Sequence, residues 1–321
     1  MTYDDTAPRT SGLPLRLIEV ARTRRITPGL ARVTFTGPDL ADFRLDAPDQ
    51  QVKLYFPKPG QTVPRLPEPD ADGDLMRWYA AYNAIPEDVR PWMRSYTVRA
   101  HDPQQATIDI DFVLHGEGPH GEGPHGEGPH GEGPHGDGAD TVEGPATRWA
   151  QTARPGDRLG MFGPSAYFAK DLPLGTTDWT LLAGDETALP ALGTIIEALP
   201  EAARAVAFIE VADAAEQLRF ETRADLTVHW LHRGGTPPGR SDVLLEAVRA
   251  ADFPEGSVYA WLAGESGSVR ALRRHLVDER GLAKPSIDFA GYWRLRLTQD
   301  DAPTEADLAD VAELLAQARQ Q

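Results

Sequence analysis

Between Leu15 and Phe168 apolar and polar residues alternate in short segments: LRLIEVAR from residue 15, RVTFTG from 32, VKLYFP from 52, RSYTVRA from 94, TIDIDFVLHG from 107 and DRLGMFG from 157. In TIDIDFVL, Ile108, Ile110, Phe112 and Leu114 fall on one face, with Asp109 and Asp111 on the other, which is the period of a half-buried strand. Six such segments punctuated by Gly and Pro predict a small antiparallel, Greek-key-like barrel, with the Pro-rich span 57–69 as an exposed loop. After Asp178 the rhythm changes. The apolar runs WTLLAG, AVAFIEV, TVHWL, SVYAWLAG and SIDFAGYW are separated by helix-sized spacers such as ALPALGTIIEALP and SGSVRALRRHLVDERG, which predicts a parallel α/β sheet. The last segment, TEADLADVAELLAQARQQ, opens with Thr304 and Asp307 in a capping-box arrangement and aligns Leu308, Val311, Leu314 and Leu315; it reads as an amphipathic helix for packing or dimer contact. The expected organisation is a tail at 1–14, a barrel domain at 15–172, an α/β domain at 178–298 and a helix at 303–321.

Composition narrows the chemistry. At 321 residues and 40% hydrophobic content the chain can bury two cores. No apolar run approaches the ~20 residues of a membrane helix, and MTYDDTAPRTSG lacks the profile of a secretory signal, so a soluble cytoplasmic protein is expected. With no cysteine, disulfides, thiolate nucleophiles and cysteine-ligated iron–sulfur clusters are excluded, and redox chemistry has to come from a bound cofactor. A formal charge of -17 argues against nucleic acid or an anionic membrane as partner. An anionic ligand would need a local basic cluster, which screening beyond about 8 Å permits.

Four stretches carry candidate chemistry. RSYT (Arg94, Ser95, Tyr96, Thr97) lies on a predicted strand; an arginine can fork onto phosphate and a tyrosine can lie on an aromatic ring, although an ordinary strand with a surface arginine reads the same. In EGPATRWA, Ala146 and Thr147 stand at a helix start, where free amides form an anion site, or the segment is simply a helix with Trp149 in the core. LLAGDETALPAL is a strand, a turn and a helix, as expected where a dinucleotide crosses a parallel sheet. Its turn is Gly184, Asp185, Glu186 and Thr187; the acids would repel a pyrophosphate and suit capping or ribose contacts. WLAGESGSVRALRRHL repeats the pattern at Gly264 and Glu265.

In their order, RSYTVR, DFVLHG, GPATRWA, PGDRLGMFGP, LLAGDETALPAL, IEV, WLAGE, VRALRRHLVDERGL and GYWR resemble the siderophore-interacting family of flavin-dependent ferric-siderophore reductases, from about Leu15 to Arg294. The resemblance implies a barrel that binds FAD and a nicotinamide domain of the ferredoxin-reductase type. It places Arg94 toward the FAD pyrophosphate, Tyr96 on the isoalloxazine and Thr97 near flavin N5, with Ser95 between them. His115 and Gly116 follow along the flavin, Ala146 and Thr147 offer amides to its phosphates, and Trp293 approaches it. Gly184 to Thr187, with Gly264 and Glu265, would border NADH or NADPH. Hydride would pass to the flavin and single electrons to siderophore-bound Fe(III), releasing Fe(II), so no catalytic acid or base and no resident metal site is expected. The anionic ferric siderophore would be met by Lys53 in QVKLYF and Arg294 in GYWR, with Arg233 and Arg296 as further cations. Glu210, in IEV at the end of the second strand of the nucleotide domain, would accept from a ribose hydroxyl and so points toward NADH.

The stretch from His115 holds four copies of HGEGP and a decayed fifth. In sequences of this type the strand ends in His-Gly and soon reaches Gly-Pro-Ala, so the repeated unit is that junction itself, and about residues 117–142 read as inserted by tandem duplication. Two other readings remain open: a flavin reductase that passes electrons to a redox protein, and a non-catalytic metal binder that uses the histidines of the repeat.

Overall fold

The computed structural model describes residues 13–69, 73–114, 144–164, 171–295, 297 and 302–318. The N-terminal tail to residue 12, His115, Gly116, the repeat and Arg296 lie outside the described residues.

Six strands form the first unit: β1 (Leu15–Thr27), β2 (Leu30–Thr36), β3 (Gln51–Phe56), β4 (Trp92–Asp102), β5 (Thr107–Val113) and β6 (Arg158–Phe162). They close into a barrel in the order β1-β2-β5-β4-β3-β6, antiparallel at each pairing. Every second residue points inward, as the alternation predicts: Val33 and Phe35 of β2, Val52, Leu54 and Phe56 of β3, Ile108, Ile110 and Phe112 of β5, and Leu159 and Met161 of β6 form one buried cluster. Asp111 faces outward, where Arg32 forks onto it at 2.7 and 2.8 Å. Helix α2 (Pro145–Thr152) closes the barrel by laying Trp149 flat on Phe35, centroids 6.1 Å apart. It starts two residues before Thr147, because Pro145 is pre-set for the first helical position.

One element escaped the sequence reading. The β3–β4 connection includes α1 (Leu75–Asn83), capped by Asp74, whose side chain accepts from the Arg77 amide. Trp78 and Tyr82 of α1 are buried in an aromatic cluster with Tyr55 and Phe162. The helix is only 9 residues long, too short for a clear 3.6-residue period.

The second unit is a five-stranded sheet in the order β11-β10-β7-β8-β9, parallel throughout. Its strands are β7 (Trp179–Gly184), β8 (Arg204–Val211), β9 (Asp225–His232), β10 (Val258–Glu265) and β11 (Ile287–Trp293), matching the five apolar runs. Leu181 and Ala183 of β7 meet α4 (Val243–Ala250) and α5 (Ser266–Arg274), whereas Leu182 meets α3 (Leu189–Ala198) on the other face. Burial on both faces is why these strands read as unbroken apolar runs.

The terminal helix α6 (Glu305–Ala318) has its expected cap: the Thr304 amide and hydroxyl donate to Asp307, and the Asp307 amide donates back to Thr304. Its orientation was not expected. Leu308 and Val311 are 56% and 53% exposed, while the acidic stripe docks. Asp307 and Asp310 take Arg270, and Glu313 takes Arg273 and Lys284. Asp307, Asp310 and Glu313 recur every third residue and share a face, and α5 offers that face two arginines.

Candidate functional site

Functional side chains gather at the seam between the units. On β4, Tyr96 shares the inward parity of Val98 and lies against Phe112 at 4.5 Å and Phe56 at 6.3 Å. Burial pushes its hydroxyl well above the usual tyrosine range. Ser95 and Thr97 take the outer face, where β3 pairs Lys53 with Ser95 and Gln51 with Thr97. The Lys53 ammonium sits 3.5 Å from the Ser95 hydroxyl, and burial lowers its pKa. Arg94 is half-buried and donates to the Met93 carbonyl at 2.7 Å.

The residues expected to hold FAD phosphates fit that task. Helix α2 follows an N-cap glycine, Gly144, with no side-chain cap and no acid in its first turn. A Cβ added at Gly144 would meet nothing within 4 Å, so space lies open before the helix. Ala146 and Thr147 are buried in that turn. A helix start without a side-chain cap and a guanidinium on β4 are the kinds of donor that phosphates take, while Tyr96 itself packs inward on Phe112 and Phe56.

The opposing wall is the C-terminal edge of the parallel sheet, and there the acids answer the helix starts themselves. Asp185 accepts from the Thr187 amide at 2.9 Å, the Glu265 amide at 2.8 Å and the Trp293 indole at 2.8 Å, tying together the ends of β7, β10 and β11. Glu265 caps α5 by accepting from Ser268 at 2.9 Å. The approach is tight. A Cβ at Gly184 would lie 2.5 Å from the Ala263 carbonyl, and one at Gly264, whose φ is +143°, 2.7 Å from the Asp185 carboxylate, so both glycines are required. Beside them is a cavity of about 230 Å³ lined by Gly239, Ser241, Asp242, Glu265 and Ser268, among others. Glu210 is buried at the end of β8. Burial and the neighbouring Glu186 and Asp185 carboxylates push its pKa up to about 7, against the pull of Arg233. Trp293 turns its ring toward Gly239, whose added Cβ would lie 2.7 Å from it.

Two of the expected substrate cations have carboxylate partners within the chain. Arg233 is 7% exposed and forks onto Glu186, 11% exposed, at 2.7 Å to each oxygen. Arg294 donates to Asp307 at 3.0 Å and to the Ala302 carbonyl at 3.1 Å. In both cases a carboxylate distant in sequence reaches the guanidinium first. Lys53 stays on the outer face of β3.

Sequence reasoning missed the seam's central group. Asp49, in the turn before β3, accepts from the Tyr292 hydroxyl of β11 at 2.8 Å and the Thr97 hydroxyl of β4 at 3.3 Å, and its amide donates to Thr194 of α3 at 2.9 Å. Gln51 donates to Tyr292 at 3.3 Å. Burial pushes the Asp49 carboxyl up to about 6, although Tyr292, Gln51, Thr97 and Trp261 donate to it. Nothing in PDQQVKLYF distinguishes Asp49 from a turn residue. Two further contacts hold the seam: Arg99 of β4 pairs with Glu197 of α3, and Glu216 accepts from the Thr27 hydroxyl and the Gly29 amide.

Comparison with known proteins gives this geometry a context. Residues 19–168 match the model of the siderophore-interacting FAD-binding domain and residues 177–296 that of the siderophore-interacting protein. The chain is 32% identical over 281 residues to the ferric vibriobactin reductase ViuB of Vibrio cholerae, covering 87% of this chain and 89% of that protein. A crystal structure of a siderophore utilization protein from T. fusca superposes with a TM-score of 0.71 at 37% identity, over 90% of this chain and 96% of that one. The ferredoxin NADP+ reductase of Neisseria gonorrhoeae, solved with FAD and NADP bound, shares the fold with a TM-score of 0.52 at 12% identity, over 87% of this chain and 99% of that one. Among the described residues no helix is long and apolar enough to cross a membrane.

Proposed function

The chain belongs to the siderophore-interacting protein family, and from that premise we propose that it is a flavin-dependent ferric-siderophore reductase driven by a nicotinamide nucleotide. The observation that supports the reading is the seam, where the outer face of β3–β4 meets the last strand of the parallel sheet through Thr97, Asp49 and Tyr292. FAD held there would supply two-electron-to-one-electron redox chemistry between the nicotinamide and siderophore-bound Fe(III), and the Fe(II) formed leaves because it binds hard oxygen donors more weakly. Arg94 and the Ala146 and Thr147 amides would hold the phosphates, Tyr96 the ring and Thr97 the N5 edge. Lys53 would attract the anionic iron chelate. In that scheme the protein's own residues bind, orient and supply charge, and none of them moves a proton to the substrate.

The acidic edge favours NADH over NADPH. Asp185, Glu186, Glu210 and Glu265 stand at the strand ends, and the cation among them, Arg233, is bound by Glu186. A 2′-phosphate would meet carboxylates, whereas a 2′-hydroxyl can donate to Glu210.

An anaerobic visible spectrum with added FAD, then NADH or NADPH, then a ferric siderophore with a ferrous trap, tests the reading. Bleaching by NADH, followed by reoxidation with Fe(II) captured, is expected. A protein that binds no flavin sinks it, and one that passes electrons only to a redox protein replaces it with the flavin-reductase alternative.

A further inference from the structure

We propose that Asp49 is a positioning residue for the flavin edge: its Oδ1, shared between Thr97 of the barrel and Tyr292 of the nucleotide domain, holds the Thr97 hydroxyl proton and so leaves the Thr97 oxygen as an acceptor toward the flavin. The inference rests on the flavin reading of Thr97 given above.

The geometry is unusually constrained for a turn residue. Asp49 has φ 55°, a left-handed conformation that aspartate tolerates better than most residues. That conformation aims its amide at Thr194, 2.9 Å away, and its carboxyl at Tyr292 and Thr97. One residue thus joins three elements: its side chain meets β11 of one unit and β4 of the other, and its main-chain amide meets α3. A threonine hydroxyl has a single proton. Spent on Asp49, that proton cannot reach a flavin nitrogen, and the oxygen's remaining lone pairs can only accept.

Among the groups packed around Thr97, Asp49 is the carboxyl raised toward neutrality, while Glu186 and Glu210, raised to about 7, stand at the strand ends of the opposing wall. From β11, Tyr292 faces it with its phenol raised well above the usual range, first by burial and then by Asp49 itself. From β10, Tyr259 feels Asp49 while donating to Asp288, and Trp261 donates to Asp49. From β4 and α3, the charged residues Arg99 and Glu197 pair with each other. On β3, which follows the turn, Lys53 lies beside Ser95. A carboxyl lifted to about 6 by burial changes charge within the working pH range, and each change alters the acceptor that holds Thr97.

The test compares wild type, Asp49→Asn, Asp49→Ala and Tyr292→Phe, each loaded with FAD and checked for flavin content. In the wild type the visible flavin band titrates with a midpoint near pH 6. The midpoint is lost in Asp49→Asn and Asp49→Ala and moves upward in Tyr292→Phe, where Asp49 has lost a donor. Asp49→Ala, with the Thr97 proton released, shifts the flavin midpoint potential downward. Thermal melting of the flavin-free proteins gives a second readout. The folded carboxyl is raised above its ordinary 3.8, so its contribution is full below that value and is lost as pH rises through about 6; the melting temperature of Asp49→Asn minus that of wild type therefore grows from pH 5 to pH 7. Should Asp49→Ala fail to fold, the isosteric Asn variant and Tyr292→Phe still decide. Variants that bind FAD fully and keep both the titration and the potential of wild type overturn the proposal. A wild-type protein that binds no FAD overturns the flavin reading instead, and the proposal with it, even if the melting difference appears.

Discussion

Replacing Arg233 with alanine should expose how the acidic strand ends are held together. Arg233 and Glu186 are almost fully buried and joined by two 2.7 Å contacts. Even with that partner, burial and Asp185 lift the Glu186 carboxyl to about 7 from an ordinary 4.5. A raised carboxylate contributes its full stability below the unfolded value and loses it as pH climbs through the folded one, here by about 3 kcal/mol between pH 4.5 and 7. Removing Arg233 raises Glu186 further. At pH 8 the variant must either keep an unpaired buried charge or take up a proton, and breaking such a pair costs about 3–5 kcal/mol. At pH 5 Glu186 is protonated in both proteins, and the cost falls to about 1 kcal/mol for lost hydrogen bonds. Urea unfolding at the two pH values, followed by tryptophan fluorescence, measures the difference. Arg99→Ala provides the control: its pair with Glu197 is more exposed, at 17% and 32%, and its loss should cost about 1 kcal/mol at either pH. Equal destabilisation by Arg233→Ala at pH 5 and pH 8 would refute the reasoning, because it would mean that Glu186 carries no charge cost for Arg233 to offset.

Other substitutions probe the site. Lys53→Ala should raise the KM for an anionic ferric siderophore about tenfold, the worth of one charge-assisted contact, with flavin content unchanged; an unaltered KM removes Lys53 from the substrate site. Glu210→Ala should lower kcat/KM for NADH about tenfold and leave NADPH less affected, so that the preference shrinks; a constant ratio would show that Glu210 does not read the ribose. Deleting residues 117–142 should leave FAD binding and iron reduction intact, whereas loss of reduction together with loss of a bound divalent ion would return the histidine repeat to the centre of the function.

Much of the architecture was set by local sequence. Alternation in segments such as TIDIDFVL determined the barrel strands and which residues face inward, because side chains in a strand change face at every step. Unbroken runs such as WTLLAG determined the parallel sheet, because both of its faces are covered. Thr304 and Asp307 marked a helix start whose cap is made within four residues. The grouping of Arg94, Tyr96, Thr97, Ala146 and Thr147 as one flavin site was suggested only by the resemblance their motifs carry, and in the structure Tyr96 packs inward while Thr97 takes the outer face.

Contacts between distant segments were decided only by tertiary structure. An apolar stripe on the last helix reads as a packing or dimer face, and only the tertiary structure shows that the helix docks on α5 by its acids, to Arg270 and Arg273, with Leu308 and Val311 left exposed. Arg294, and more weakly Arg233, looked available to a substrate, but Asp307, 13 positions after the first, and Glu186, 47 before the second, are brought to them by the fold. Asp49 was silent for the same reason: its hydroxyl partner Tyr292 lies 243 residues away. Hydrophobic period is a property of neighbours along the chain, whereas the fate of a charge depends on which opposite group the packed chain delivers within 3 Å, and no local pattern encodes that distance.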